Sequence, residues 1–97
     1  MKLWVATANP GWNDTAGYNK PQCPTYRAGD ITPFVVDRRD GARYVETFEA
    51  AIASQPDWVL ITSFNEWGEG TQVEPSACYG DPNLYLNLTR ELAARFE

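Results

Sequence analysis

Residues 58–76 read WVLITSFNEWGEGTQVEPS, and the first part of this stretch, residues 58–64, decides the fold. It is rich in β-branched and aromatic residues and turn residues bound it, so it predicts a strand buried on both faces. After Phe64 the apolar content drops, and Glu66 and Glu69 follow among glycines. This pattern predicts a rigid strand end from which a loop directs polar side chains into a common pocket.

A carboxylate pair is the chemical feature of this loop. Glycoside cleavage uses one carboxylic acid to protonate the departing oxygen and a second group at the sugar ring, usually a carboxylate. Trp67 lies between Glu66 and Glu69 and offers the kind of apolar ring face that sugars stack against. The alternative is a solvated acidic loop with Trp67 packed over its rim. Composition alone favours that alternative, because acidic loops are common.

The exact sequence of residues 63–74 favours the catalytic interpretation over the solvated loop. Residues 63–74, SFNEWGEGTQVE, closely resemble the signature of family 99 glycoside hydrolases, which are endo-α-1,2-mannosidases and endo-α-1,2-mannanases on a (β/α)8 barrel. Three further segments are similar to that family in the same order. They are residues 9–15 (NPGWNDT), 40–47 (DGARYVET) and 83–90 (NLYLNLTR). Only the segment from about residue 17 to residue 38 lacks a clear counterpart.

The resemblance implies a retaining glycosidase that acts inside α-mannose-containing chains. It implies that the substrate's own 2-hydroxyl attacks the anomeric carbon to give an epoxide-like intermediate. By positional match, Glu66 is the base that takes the 2-hydroxyl proton, and Glu69 is the acid that protonates the leaving sugar and later activates water. The residues expected to orient substrate or support the pair are Asn65, Trp67, Gln72 and Glu74.

Two positions depart from the family pattern. Gly68 stands where many members have His, and residues 16–18 (AGY) stand where the family tends to carry Arg. The carboxylate pair is retained, so the implied chemistry is retained as well. Related barrels of unknown or polysaccharide-processing role also carry Asn-Glu-Trp-x-Glu-Gly. The glycan and the linkage therefore stay open.

A second strand is predicted over residues 3–8, and residues 9–11 (NPG) end it with a turn. Trp12 and Asp14 follow, and they lie at the same end as Glu66 if the two strands are parallel. Trp12 is a candidate sugar platform and Asp14 a candidate hydroxyl contact. In the alternative, Trp12 fills the barrel mouth and Asp14 caps a turn. The sequence supports the sugar-contact and the structural interpretation about equally.

Residues 16–39 hold several prolines and glycines and predict a long irregular connection with a short extended piece at 33–37. Its cations are expected to be solvated charges. These cations are Lys20, Arg27, Arg38 and Arg39.

Residues 40–55 carry two conflicting signals. Asp40-Gly41 is a hairpin signal, whereas Tyr44, Phe48 and Ile52 recur at helical spacing. We choose a helix that Asp40 caps and Pro56 ends. With the flanking strands it forms a β-α-β unit whose strands run parallel.

A second helix is predicted from Asp81-Pro82 onward, because Asp is a good cap and Pro suits the first turn. Ala93 is expected to lie beside its buried stripe. The stripe consists of Leu84, Leu88, Leu92 and Phe96.

Charge and composition exclude several classes of protein. Thirteen acidic and eight basic residues give a net charge of −5, which argues against nucleic acid or an anionic membrane surface as partner. No apolar run is long enough to span a membrane. The chain has no histidine, and carboxylate chemistry needs no metal or organic cofactor, so none is expected. No signal peptide is recognisable at Met1, and the compartment stays open.

The cysteines, Cys23 and Cys78, are far apart in sequence and lack the spacing of a metal site. We expect two free thiols, with a disulfide in an oxidising compartment as the alternative.

Length limits the architecture. A complete (β/α)8 barrel takes about 250 residues, and this chain has 97. We therefore predict an α/β fold made of the C-terminal two β-α units of a TIM barrel, one partial domain over residues 1–97. The expected partners are an α-mannose-containing oligosaccharide or polysaccharide and the missing N-terminal barrel strands, or self-association through open strand edges. The alternative function is a carbohydrate-binding remnant or a barrel fragment without activity of its own.

Overall fold

The computed structural model of the protein describes residues 2–13 and 35–96. The strands in this part form two sheets of two strands each. In chain order the elements are β1 (Val5–Ala8), β2 (Trp12–Asn13), β3 (Val35–Val36), a short 3₁₀ helix (Arg39–Gly41), α1 (Ala42–Ala53), β4 (Trp58–Ile61) and α2 (Leu84–Phe96).

The larger sheet pairs β1 with β4 in parallel, with Val5 opposite Trp58. Helix α1 connects the two strands through the chain and packs on both, so the predicted β-α-β unit is confirmed. The pairing extends by one bond past the strand ends, because the Thr62 amide donates to the Ala8 carbonyl at 2.9 Å. Strand β4 is shorter than predicted and ends at Ile61.

The expectation that this strand is buried on both faces is wrong for the described chain. Ala6 and Ala8 of β1 are buried, and Val59 of β4 packs against the core. On the opposite face, Trp58 and Leu60 are 57% and 52% exposed. The physical reason is that α1 covers one face of the sheet, while no other element in residues 2–13 and 35–96 covers the second face.

The smaller sheet pairs β2 antiparallel with β3, with Trp12 opposite Val36. The short extended piece predicted at 33–37 is present in the part that the structure describes. No hairpin forms at Asp40-Gly41, and the choice of a helix there is confirmed. Asp40 does not cap that helix, however, because it adopts a left-handed conformation with φ of 51° and Gly41 takes the cap position without a side-chain bond.

The core lies between α1, α2 and the buried face of the larger sheet. Tyr44 and Phe48 of α1 are buried as predicted, and their rings meet edge to face at 5.8 Å. Tyr85 of α2 packs edge to face on Tyr44 at 5.7 Å. Burying an aromatic or large aliphatic side chain is worth roughly 1.5–3 kcal/mol, so this cluster is the main apolar contribution to stability. Its buried members are Ala8, Tyr44, Phe48, Val73, Tyr85 and Leu92.

The predicted stripe of α2 is partly confirmed. Asp81 provides the expected acceptor at the helix start, since its Oδ1 receives the Asn83 amide at 2.9 Å. Leu92 is buried, and Leu84 and Leu88 are partly buried against the core. Ala93 is exposed, so its placement beside the stripe is wrong. The helix turns Tyr85 and Thr89 toward α1 instead, and Thr89 Oγ1 lies 2.7 Å from the Tyr44 hydroxyl.

Cys78 is disulfide-bonded, so the expectation of free thiols is wrong. The other cysteine of the sequence, Cys23, lies outside the described residues. Separation along the chain carries no information on which thiols approach each other in space, and this is why the sequence favoured the wrong state. Within the described part, no helix combines the length and apolar character that a membrane crossing requires.

Alkaline conditions should destabilise the fold through Tyr44. Burial raises the pKa of the Tyr44 hydroxyl above its ordinary value of 10.0, although the hydrogen bond with Thr89 acts in the opposite direction. The folded state then holds this proton more tightly than the unfolded chain does. Its contribution to the free energy of unfolding is present below pH 10.0 and is lost as the pH rises through the folded-state pKa.

Urea unfolding at a series of pH values measures this loss. Tyr44→Phe cannot ionise and should show a shallower alkaline fall in the free energy of unfolding. Thr89→Val keeps the phenol and removes the hydrogen bond that lowers its pKa, so its alkaline fall should be at least as large as that of the unsubstituted chain. An unchanged alkaline slope in Tyr44→Phe would contradict the assignment.

The uncovered sheet face should make the chain self-associate. Trp58 and Leu60 are adjacent large side chains on that face, and exposed apolar patches beside open strand edges favour association. Sedimentation velocity should show concentration-dependent association that Leu60→Thr weakens. Leu86→Thr, which changes an exposed leucine on α2, is the matched control and should associate like the unsubstituted chain. A monomer at all concentrations would contradict the prediction.

Candidate active site

The candidate catalytic glutamates lie on the loop that follows β4, which we call the acidic loop and define as residues 62–76. Ser63, near its start, pairs with the segment 71–73. The Ser63 amide donates to the Thr71 carbonyl at 2.9 Å, and the Val73 amide donates to the Ser63 carbonyl at 2.9 Å. The hydroxyls of Ser63 and Thr71 also lie 2.7 Å apart. The acidic loop therefore closes at its base and projects residues 64–70 as a short excursion.

The excursion places Glu66 and Glu69 on one turn. The Glu69 amide donates to the Glu66 carbonyl at 3.2 Å, and the Gly70 amide donates to the Trp67 carbonyl at 3.2 Å. The Glu66 amide in turn donates to Ser63 Oγ at 3.1 Å. Glu66 is exposed and Glu69 is half-buried, so the two carboxylates share a turn but differ in their access to solvent.

Trp67 and Glu74 form a direct pair within the acidic loop. Trp67 Nε1 donates to Glu74 Oε2 at 2.7 Å, and both side chains are half-buried. This bond fixes the orientation of the indole ring relative to Glu74. Asn65, the other polar residue of the excursion, is exposed.

Gln72 occupies a different position from its neighbours in the motif. It is fully buried, and neither Nε2 nor Oε1 of its amide has a hydrogen-bond partner among the described residues. A buried amide without partners costs about 1–3 kcal/mol. The structure places this amide inside the acidic loop, away from solvent. Its predicted contact with substrate stays a prediction.

Strand β2 touches the acidic loop through its main chain. The Asn13 amide donates to the Glu69 carbonyl at 2.8 Å. Gly70 lies so close to β2 that an added Cβ would be 2.5 Å from the Asn13 carbonyl oxygen, and its φ is +68°. Trp12, the neighbour of Asn13, is half-buried. The turn after β1 and the loop after β4 thus meet, as the parallel strands predicted, while Asp14 lies outside the described residues.

A hollow of about 330 Å³ lies beside Trp12. Neither Glu66 nor Glu69 belongs to its lining, so the hollow flanks the glutamate turn and does not enclose it. The described residues that line it are Asn9, Gly11, Trp12, Val36, Arg43, Thr62 and Thr71.

Sequence reasoning missed Arg38, which was expected to be a solvated charge. Arg38 is only 6% exposed, and its Nη2 donates to the carbonyls of Gly70 and Gln72 at 3.0 and 2.8 Å. No spacing signal identifies such a residue, because its partners are main-chain atoms far along the chain. Arg39 matches the expectation, since it is exposed and pairs with Glu46 at the surface.

The carboxylates and cysteines of the described part do not form a metal centre. In residues 2–13 and 35–96, no three or more such groups come together in a way that could hold a metal ion.

Gly70→Ala should displace the acidic loop from β2. The added methyl group would clash with the Asn13 main chain, and the left-handed φ of Gly70 is strained for alanine. We expect the free energy of unfolding to fall by about 1–3 kcal/mol in urea titrations. Gly80→Ala is the control, because no heavy atom beyond its own chain neighbours lies within 4 Å of its added Cβ. Equal stability of the two variants would contradict the close contact between Gly70 and Asn13.

Comparison with known proteins gives the same family from sequence and from structure. The model of glycosyl hydrolase family 99 matches residues 2–95. A human glycoprotein endo-alpha-1,2-mannosidase-like protein is 43% identical over 97% of this chain, and the glycoprotein endo-alpha-1,2-mannosidase of Rattus norvegicus is 38% identical over the same share. The chain covers 21% of the length of each of these two relatives.

The fold matches a solved structure of the same family. The GH99 endo-alpha-mannosidase from Bacteroides thetaiotaomicron superposes with a TM-score of 0.75 and 31% sequence identity, over 98% of this chain and 28% of that chain. Because the family model covers nearly the whole sequence and includes the acidic loop, the chain belongs to glycosyl hydrolase family 99.

Proposed function

We propose that this chain supplies the C-terminal part of a (β/α)8 barrel that hydrolyses internal α-mannosidic bonds with retention of configuration. In this proposal residues 1–97 are one partial domain with two β-α units, and its substrate is an α-mannose-containing oligosaccharide or polysaccharide. Membership of family 99 and the likeness to endo-alpha-mannosidases support the reaction class.

One observation carries the site assignment. Glu66 and Glu69 lie on a single hydrogen-bonded turn just past the carboxyl end of β4, and the Trp67 indole of the same turn is held by its bond to Glu74. In barrel enzymes the catalytic residues come from this end of the strands. Two carboxyl groups on one turn, one exposed and one half-buried, provide different surroundings for a base and an acid.

The proposed roles follow the chemistry of that pair. Glu66 takes the proton from the 2-hydroxyl of the sugar, whose oxygen then attacks the anomeric carbon while the bond to the leaving sugar breaks. Glu69 gives its proton to the departing oxygen, and later removes a proton from the water that opens the epoxide-like intermediate. As that ring opens, Glu66 returns its proton to the 2-oxygen, which restores the 2-hydroxyl and both glutamates. Trp67 and Trp12 provide ring faces for the sugars, and Asn65, Gln72, Glu74 and Asp14 are the proposed polar contacts.

The coverage of the open sheet face decides where activity resides. The chain spans about a fifth of its curated relatives, and the face of its sheet that carries Trp58 and Leu60 is uncovered. We propose that the preceding strands of a barrel cover this face in the active protein. If no such strands cover it, the alternative is a carbohydrate-binding remnant or a barrel fragment without activity of its own. Retained sugar binding without turnover distinguishes the remnant from the enzyme.

Glutamine substitutions in the protein that carries this chain, produced from its whole reading frame, test the proposal. Glu66→Gln and Glu69→Gln should each lower turnover of an α-1,2-linked mannose oligosaccharide by about 100-fold or more, because each removes a proton-transfer group. The product of the unsubstituted protein should first appear in NMR spectra with the α configuration. An aryl glycoside with a good leaving group should restore much more activity to Glu69→Gln than to Glu66→Gln.

Glu91→Gln, an exposed change on α2, is the control and should leave turnover unchanged. Full activity in Glu66→Gln together with lost activity in Glu69→Gln would contradict the roles. If the unsubstituted protein binds the oligosaccharide without turnover, and the double variant binds equally well, the remnant replaces the enzyme.

A further inference from the structure

Arg38 is a buried cation without a carboxylate partner among residues 2–13 and 35–96. The ion pairs between described residues join Arg39 to Glu46 and Arg95 to Glu49, and both lie at the surface. Arg38 is only 6% exposed, and its Nε and Nη1 atoms have no hydrogen-bond partner among the described residues. A buried charge is expensive unless other groups compensate it. Its retention inside the core therefore requires a reason.

Two kinds of contact compensate the charge. The guanidinium carbon lies 4.9 Å from the centre of the Tyr85 ring and 5.5 Å from that of Tyr79, which are cation–π distances. Nη2 donates to the carbonyl oxygens of Gly70 and Gln72. Hydrogen bonds from a charged donor are stronger than those between neutral groups. Both acceptors belong to the acidic loop.

The Gly70 and Gln72 carbonyls lie close in sequence to the glutamate turn, so the bonds from Arg38 bear on the candidate site. Gly70 directly follows Glu69, and the Glu69 carbonyl itself accepts the Asn13 amide at 2.8 Å. The Tyr79 hydroxyl donates to the same Gln72 carbonyl as Arg38, at 3.2 Å. The main chain on the C-terminal side of the glutamate turn is thus held at successive points, and Arg38 provides two of the bonds.

The chain makes space for this arrangement at Gly11. An added Cβ there would lie 2.8 Å from Arg38 Cγ and 2.7 Å from the Val36 carbonyl oxygen. The turn after β1 therefore closes directly over the Arg38 side chain. Arg38 contacts both segments that carry the candidate site, the turn that leads to Trp12 and the acidic loop that carries the glutamates.

We propose that Arg38 is a positioning residue that fixes the glutamate turn through the Gly70 and Gln72 carbonyls. This inference rests on the proposed function for its catalytic consequence, but the structural part stands separately. Arg38 touches neither substrate nor the carboxylates in this assignment. It acts by setting where the main chain of Glu66 and Glu69 lies.

Amide chemical shifts test the structural part. The amide nitrogens of Thr71 and Val73 share peptide groups with the carbonyls of Gly70 and Gln72, so they report on loss of the Arg38 bonds. In Arg38→Met, their ¹⁵N shifts should change more than those of amides in α1 and α2. Arg90→Met, an exposed arginine on α2, is the control and should leave Thr71 and Val73 unchanged.

Kinetics test the catalytic part in the protein that carries this chain, in buffer far from the unfolding transition of each variant. Displacing a catalytic group by about 1 Å can cost on the order of 100-fold in rate. We therefore expect kcat to fall by about 10- to 100-fold in Arg38→Met, with KM changed less than about twofold. Arg38→Lys keeps the charge but lacks the planar guanidinium group. Its kcat should lie between those of the unsubstituted protein and Arg38→Met.

Several outcomes would overturn the proposal. They are unchanged Thr71 and Val73 shifts in Arg38→Met, shifts spread evenly over the core, and normal kcat in a folded variant. If Arg38→Met and Arg38→Lys both fail to fold, Arg38 is a residue of the core and not a positioning residue. Unimpaired turnover in Glu69→Gln rejects the proposed function instead, and the Thr71 and Val73 shifts then still decide the role of Arg38.

Discussion

The parallel pairing of β1 with β4 is the constraint on which the candidate site depends. Because the two strands run in the same direction, the chain leaves both of them at the same edge of the sheet. The bond from the Thr62 amide to the Ala8 carbonyl carries this pairing to the point where the two connections begin. The main-chain contact between Asn13 and Glu69 follows from that arrangement. An antiparallel pair would have separated the two connections by the length of the sheet.

The sheet of β1 and β4 has one covered face, which we call the finished side, and one uncovered face, which we call the open side. On the finished side, small residues of β1 allow α1 to approach closely, and the aromatic rings of Tyr44, Phe48 and Tyr85 fill the space between the helices. On the open side, large residues of β4 have no covering element in the described chain. A (β/α)8 barrel fills its interior with such side chains from every strand. The sequence of β4 is therefore suited to surroundings that these residues alone do not supply.

Much of this architecture could be predicted, because it rests on local periodicity. The spacing of Tyr44 and Phe48 indicated α1, and the β-branched run after Pro56 indicated β4. What could not be predicted depends on unusual backbone conformation and on side-chain bonds to main-chain atoms far along the chain. The left-handed conformation of Asp40 and the bonds from Arg38 to two carbonyls produce no periodic pattern in the sequence. The string around Glu66 identified the candidate site through family resemblance, whereas the support beneath it came only from the structure.

The disulfide at Cys78 makes the residues that support the acidic loop sensitive to redox conditions. Cys78 directly precedes Tyr79, whose ring faces Arg38 and whose hydroxyl reaches the Gln72 carbonyl. Disulfides form and persist in oxidising surroundings and are lost where thiol reductants dominate. Reduction would remove a covalent restraint one residue away from a ring that supports the acidic loop. The support of the acidic loop thus depends on the thiol–disulfide potential of the medium as well as on temperature and pH.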